Sequence, residues 1–116
     1  MYDEAAMHEL VRTHLLEIAE LCRRYHVRRL DVFGSASRGD DFDPARSDVD
    51  LLVQYEEEAG VDDRRALEKA LESLLGRHVD LIRDGSIRNP YVRRTAEEDR
   101  QNLYAAEGYA GSPHAA

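Results

Sequence analysis

Strand and helix signals alternate along this chain, and together they predict a small α/β (α+β) domain, a mixed β-sheet flanked by helices. Three observations carry that expectation. Short apolar runs near residues 28–33, 48–55 and 78–83 show the period of two expected of strands. Apolar stripes before and between them recur at spacings of three and four, the period of helices. Clusters of glycine, proline and aspartate separate the two kinds of segment. The pattern leaves the pairing directions open. At 116 residues the chain suits one domain with a modest core, and we expect it to span residues 1–104.

The first helix is expected from Asp3 to Tyr25, with Val11, Leu15, Ile18, Cys22 and Tyr25 as its apolar stripe. Cys22 on that stripe reads as a small core residue. Arg28 to Phe33 is the first strand, with Gly34 and Ser35 at its carboxyl end. Residues 40–46, with Pro44 and several aspartates, form a loop. Asp48 to Tyr55 is the second strand: Val49, Leu51 and Val53 take one face, Asp48 and Asp50 the other. After a charged turn from Glu56 to Gly60, Asp62 or Asp63 caps a helix to about Leu75. Leu67, Leu71 and Leu74 are its stripe and Gly76 its stop.

His78 to Arg83 is the third strand, where Val79 and Leu81 alternate with Asp80 and Ile82. Asp84 and Gly85 make a turn. Asn89 and Pro90 resemble an N-cap followed by proline at the first helical position, opening a helix to about Tyr104. Tyr91 and Tyr104 are expected in the core or an interface. Residues 105–116 are small and polar, the composition of a disordered tail.

The chemistry concentrates in two short stretches, Phe33-Gly34-Ser35 and Asp48-Val49-Asp50. A tight turn bearing a hydroxyl at the start of a helix exposes backbone N–H groups that favour phosphate oxygens. Arg38 either adds a bidentate phosphate contact or pairs with Asp40 or Asp41 on the surface. Two carboxylates one residue apart on a strand point to the same side, with Cα atoms roughly 6–7 Å apart. Their tips can converge on a pair of divalent cations about 3.5–4 Å apart. Asp50 and Asp80 each interrupt an apolar run, where an unpaired carboxylate is costly without such a partner. Phosphate cradle and paired carboxylates together suit nucleotidyl transfer from a nucleoside triphosphate, a reaction that needs positioning and charge neutralisation above all. The five histidines, His8, His14, His26, His78 and His114, lack metal-ligand spacing and are expected to be structural or exposed.

The net charge of −8 opposes non-specific attachment to nucleic acid or an anionic membrane. No stretch approaches the roughly 20 apolar residues of a membrane helix. The single cysteine excludes an internal disulfide, and Met1-Tyr2-Asp3-Glu4 lacks the basic flank of a signal peptide, so a cytoplasmic protein is expected. Acidic residues crowd the middle of the chain, whereas Arg88, Arg93, Arg94 and Arg100 of the last helix read either as solvated surface or as a face for docking a partner or lining a triphosphate.

The segment from Val32 to Val53 resembles the active-site signature of the DNA polymerase β-type nucleotidyltransferase superfamily. The short length and the helix at Asn89-Pro90 are similar to its minimal nucleotidyltransferase (MNT) branch, and the resemblance spans Leu30 to Tyr104. It implies the polymerase β-type core, phosphate contacts at Gly34 and Ser35, and two Mg2+ ions on Asp48 and Asp50. Asp80 matches the third carboxylate by position and would help activate the acceptor hydroxyl. The spacer from Ala36 to Ser47 is longer than the family pattern commonly has. The extra length falls in the acidic loop around Asp41-Phe42-Asp43, where insertion is structurally cheap.

Many members of that branch are antitoxins of HEPN-domain ribonuclease toxins. The resemblance therefore implies transfer of AMP from ATP to a hydroxyl, a tyrosine, of a HEPN partner. A catalytic core this short has no room for its own acceptor domain. Two other readings stand beside this one. In the first, the protein is a non-catalytic antitoxin that neutralises its toxin by binding. In the second, it is a small-molecule nucleotidyltransferase of the antibiotic-modifying kind, completed by a dimer or partner.

Overall fold

The computed structural model describes residues 9–38 and 48–106, and for Ser35 and Arg38 it describes the backbone. The elements run α1 (Glu9–Arg12), α2 (Leu15–Arg24), β1 (Val27–Phe33), α3 (Ser35–Arg38), β2 (Val49–Tyr55), α4 (Val61–Leu75), β3 (Val79–Arg83), α5 (Pro90–Asp99) and β4 (Gln101–Ala105). The strands form one mixed sheet in the order β3-β2-β1-β4. β1 pairs antiparallel with both β2 and β4, and β3 lies parallel to β2. A parallel pair needs a crossover, and α4 supplies it.

The period of two sorts the sheet into unlike faces. Leu30 and Val32 of β1, Val49, Leu51 and Val53 of β2 and Val79 of β3 join one buried cluster. Ile18 and Cys22 of α2 and Leu67, Leu71 and Leu75 of α4 cover it. Burial pushes the Cys22 thiol up to about 12, so it remains an inert apolar filler. Gly76 ends α4 with φ +70°, a conformation that costs a glycine little. Gly60, rather than Asp62 or Asp63, occupies the N-cap position, and Asp63 accepts the Gly60 N–H at 3.0 Å.

The other face carries charge, although it too is buried in part. Arg29 and Asp31 of β1 are 1% and 0% exposed. Arg29 contacts Asp31 through Nε at 3.1 Å and Nη2 at 2.8 Å. Arg100 reaches the same carboxylate through Nε at 2.6 Å and holds Asp84 through Nη2 at 2.8 Å. Asn102 donates to Asp31 Oδ1 at 2.9 Å, and Gln54 to Asp84 Oδ2 at 2.8 Å. Burial pushes the Asp84 carboxyl up, but hydrogen bonds from Arg100 and Gln54 outweigh it and hold the group below the usual carboxylate range.

Two segments depart from the sequence expectation. The first helix breaks at Thr13 and His14, where the Thr13 hydroxyl donates to the Glu9 carbonyl at 2.8 Å and His14 Nδ1 lies 2.7 Å from the Leu10 carbonyl. The His14 N–H turns to the Val11 carbonyl at 3.1 Å, leaving the Leu10 carbonyl to the imidazole. The last helix ends at Asp99 rather than near Tyr104, and a fourth strand follows. Arg100, turned inward to Asp31 and Asp84, has an extended backbone (ψ 137°), and Gln101–Ala105 then extend along β1. Arg100 therefore does not belong to the exposed arginine face expected of α5. Tyr104 packs against the core as expected, whereas Tyr91 is 75% exposed. Ala105, expected to open the tail, instead ends β4. Residues 1–8, residues 39–47 with the loop expected at 40–46, and the rest of the expected tail from 107 lie outside the described residues.

Asp31→Leu leaves Arg29 and Arg100 buried around an apolar group. The variant is expected to lose about 3–5 kcal/mol of stability by urea denaturation. A loss below about 1 kcal/mol would show that the arginines find other partners.

Candidate active site

The sheet register brings the separated carboxylates together. β2 and β3 run parallel with Asp50 directly opposite Asp80. Asp48 precedes β2 by one residue and is exposed, while Asp50 and Asp80 are half-buried. Burial raises the Asp50 carboxyl first, then Asp80 beside it and Asp48, to about 6; His78 opposes the rise. Contact with the Asp80 carboxyl adds to the rise. Such a group of facing acids fits a divalent cation, since a cation relieves the repulsion that the strands impose.

Gly34 stands at the same end of the sheet. It follows Phe33, which pairs with Asp50, and adopts φ +73°. A Cβ at this position would lie 2.8 Å from Asp50 Oδ2. Glycine is thus required twice, for the left-handed backbone and for the close approach of the turn to the carboxylate. α3 then begins at Ser35, the residue after Gly34.

The turn is fixed from behind by residues that sequence reasoning did not single out. The Ser37 hydroxyl donates to the Gly34 carbonyl at 2.7 Å, and Gln101 Nε2 donates to the Ser37 carbonyl at 2.6 Å. Ala36 points into the core. Gln101 belongs to β4, where the sequence pattern predicts helix, so nothing in the local sequence signals its part.

His78 is the larger omission. Its Nε2 lies 3.1 Å from Asp80 Oδ1 and its Nδ1 lies 3.0 Å from Glu72 Oε2. One ligand atom each of Asp48, His78 and Asp80 fall within 4.8 Å of one another. The hydrogen bond with Asp80 and the surrounding carboxylates raise the imidazole above its ordinary pKa. The signal was a histidine two residues before Asp80 at the start of a strand, hence on the same side. Arg88, Arg93 and Arg94 are exposed, away from the internal network that holds Arg100.

Residues 17–103 match the family described as nucleotidyltransferase domain. A Methanocaldococcus jannaschii protein named as a candidate protein adenylyltransferase is 38% identical over 91 residues, covering 78% of this chain and 88% of its own length. Among solved structures, a candidate minimal nucleotidyltransferase aligns with a TM-score of 0.66 at 34% identity, covering 80% of this chain and 92% of that one. A chain of the complex between tri-AMPylated Shewanella oneidensis HEPN toxin and MNT antitoxin aligns with a TM-score of 0.57 at 20% identity, covering 83% and 73%. At that identity the likeness is one of fold.

Two variants test the geometry. Gly34→Ala should cost about 1–2 kcal/mol from the left-handed backbone alone, read by urea denaturation, and should displace Asp50 as well. Asp50→Asn should stabilise the metal-free protein. The raised carboxyl costs stability above about pH 6, and the cost fades as pH falls towards the unfolded-state value. In EDTA at about pH 8 the gain should be on the order of 1 kcal/mol after solvent screening, and it should vanish by about pH 4. A constant gain across that range would place its origin outside Asp50 ionisation.

Proposed function

The chain belongs to the nucleotidyltransferase domain family, and on that premise we propose that it transfers AMP from ATP to a tyrosine hydroxyl of a HEPN-domain partner, acting as that toxin's antitoxin. The observation that carries the chemistry is the parallel register, which sets Asp50 beside Asp80 with Gly34 closed against Asp50. The partner is suggested by the fold shared with the MNT–HEPN complex. It is suggested also by the exposed Tyr91 and Val92 of α5, which leave apolar surface on a helix whose buried residue is Ala96.

In this reading Asp48, Asp50 and Asp80 hold two Mg2+ ions, which when bound would neutralise the triphosphate and acidify the acceptor hydroxyl. The backbone at Gly34 and Ser35 takes phosphate oxygens, and Arg38 adds a further phosphate contact. The acceptor oxygen attacks the α-phosphorus, Asp80 takes the hydroxyl proton, and pyrophosphate leaves. The domain proposed to do this is residues 1–104, in the cytoplasm, without direct binding of nucleic acid.

Incubation of the HEPN partner with this protein, ATP and Mg2+ should add whole AMP increments to its intact mass. Asp48→Asn should abolish the gain while the fold persists. Asp80→Asn should still bind ATP but lose the chemical step by about 100-fold or more. A toxin silenced without any gain in mass would support neutralisation by binding instead. AMP found on a small molecule and never on the partner would favour the antibiotic-modifying reading.

A further inference from the structure

His78 has no part in the chemistry above, yet its ring is held on both sides. Glu72 Oε2 lies 3.0 Å from Nδ1 and also accepts the Val79 N–H at 3.2 Å, so this carboxylate is anchored to the strand it serves. A neutral imidazole carries one N–H; once Nε2 binds a cation that N–H must sit on Nδ1, 3.0 Å from the Glu72 carboxylate. The Nε2 lone pair then faces the space that His78 shares with Asp48 and Asp80, where one ligand atom of each falls within 4.8 Å of the others. With no cation in that space, Nε2 lies 3.1 Å from a carboxylate oxygen. A cation between them turns the same geometry into two ligand bonds. A carboxylate holding one ring nitrogen while the other binds metal is the usual outer support of a metal-bound histidine.

We propose that His78 is a nitrogen ligand in one of the two cation sites, with Asp48 and Asp80 as its oxygen ligands and Glu72 fixing the ring, so that this site selects Mn2+ over Mg2+. The proposal rests on the reading that Asp48 and Asp80 hold a divalent cation. Its chemistry follows from ligand type. Magnesium prefers oxygen donors and parts with water reluctantly, whereas imidazole strengthens binding of first-row transition cations. His78 immediately precedes β3 and Asp80 lies in it, their side chains 3.1 Å apart, and Glu72 projects from the helix that leads into the strand. The nitrogen is therefore positioned by regular elements.

The probe is Mn2+ alone, added below the protein concentration. Pulsed electron paramagnetic resonance of the wild-type protein should show 14N modulation of the Mn2+ signal, replaced by the 15N pattern when the protein carries 15N-histidine. His78→Ala, folded by circular dichroism, should lose that modulation and at least tenfold in Mn2+ affinity, with Mg2+ affinity from competition falling much less. Glu72→Gln should keep the nitrogen signal and lose about tenfold in Mn2+ affinity.

Bound Mn2+ without nitrogen coupling, or an unchanged Mn2+-to-Mg2+ preference in His78→Ala, overturns the proposal. If Asp48→Asn and Asp80→Asn then abolish Mn2+ binding, the carboxylate reading survives and the His78 assignment alone fails. If those variants bind Mn2+ as the wild type does, or the wild type binds none, both fail together.

Discussion

A buried carboxylate on the central strand organises this fold. Asp31 has no exposure to solvent, and an unpaired charge there would cost several kcal/mol. Arg29, two residues away on the same strand, supplies part of the compensation. The remainder comes from Arg100 and Asn102, which are distant in sequence. To satisfy Asp31, the end of α5 must return to β1, Arg100 must turn inward, and the next residues must lie along the strand edge. β4 follows from that demand. With β4 in place, Gln101 reaches the Ser37 carbonyl and steadies the turn that presents Gly34. Buried ion pairs of this kind are poor sources of net stability compared with apolar packing. Here the network specifies where the C-terminal segment must go.

The same sheet face carries a second group of acids whose treatment is the reverse. Around Asp31 and Asp84, guanidinium and amide donors meet each carboxylate, and Asp84 is held below its ordinary range. Around Asp50, the neighbours that count most after burial are themselves acids, and its carboxyl rises to about 6. One end of the face is neutralised by arginine and amide donors, and the other sets acid against acid. That contrast separates a structural cluster from a site, because perturbed acids facing one another in an accessible position gather where chemistry is done. The cost is carried by the free protein, as expected where a functional group overrides local stability.

What could be read from the chain was what the strand period and local turns encode. Asp48 and Asp50 share a side because they are two apart on one strand, and Gly34 marks a turn because few other residues suit it. Asp80 was legible as a carboxylate in an apolar strand, but its place opposite Asp50 depends on a parallel register that no local pattern contains. β4 was invisible for the same reason. Gln101 to Ala105 continue a helical pattern, and only the distant Asp31 and Asp84 pull Arg100 out of it. At the break, the His14 imidazole meets the Leu10 carbonyl while its N–H goes to Val11, a competition that apolar periodicity does not register. His78 has no metal-ligand spacing to another histidine; its place just before β3, two residues from Asp80, is what sets it beside that carboxylate.

These differences bear on how firmly each part of the site is held. The carboxylates at Asp50 and Asp80 ride on paired strands, and Leu71 and Leu75 bury α4 on either side of Glu72. Only Gly76, Arg77 and His78 separate α4 from β3, and the left-handed Gly76 reverses the chain sharply enough for Glu72 to meet both His78 and the Val79 N–H. A group fixed by a helix end and a strand start is placed more closely than one on a long loop. The acidic cluster thus has its geometry set by the hydrophobic core beneath it. Substitutions at Leu71 or Leu75 would reach the site through Glu72 and His78 without touching a carboxylate.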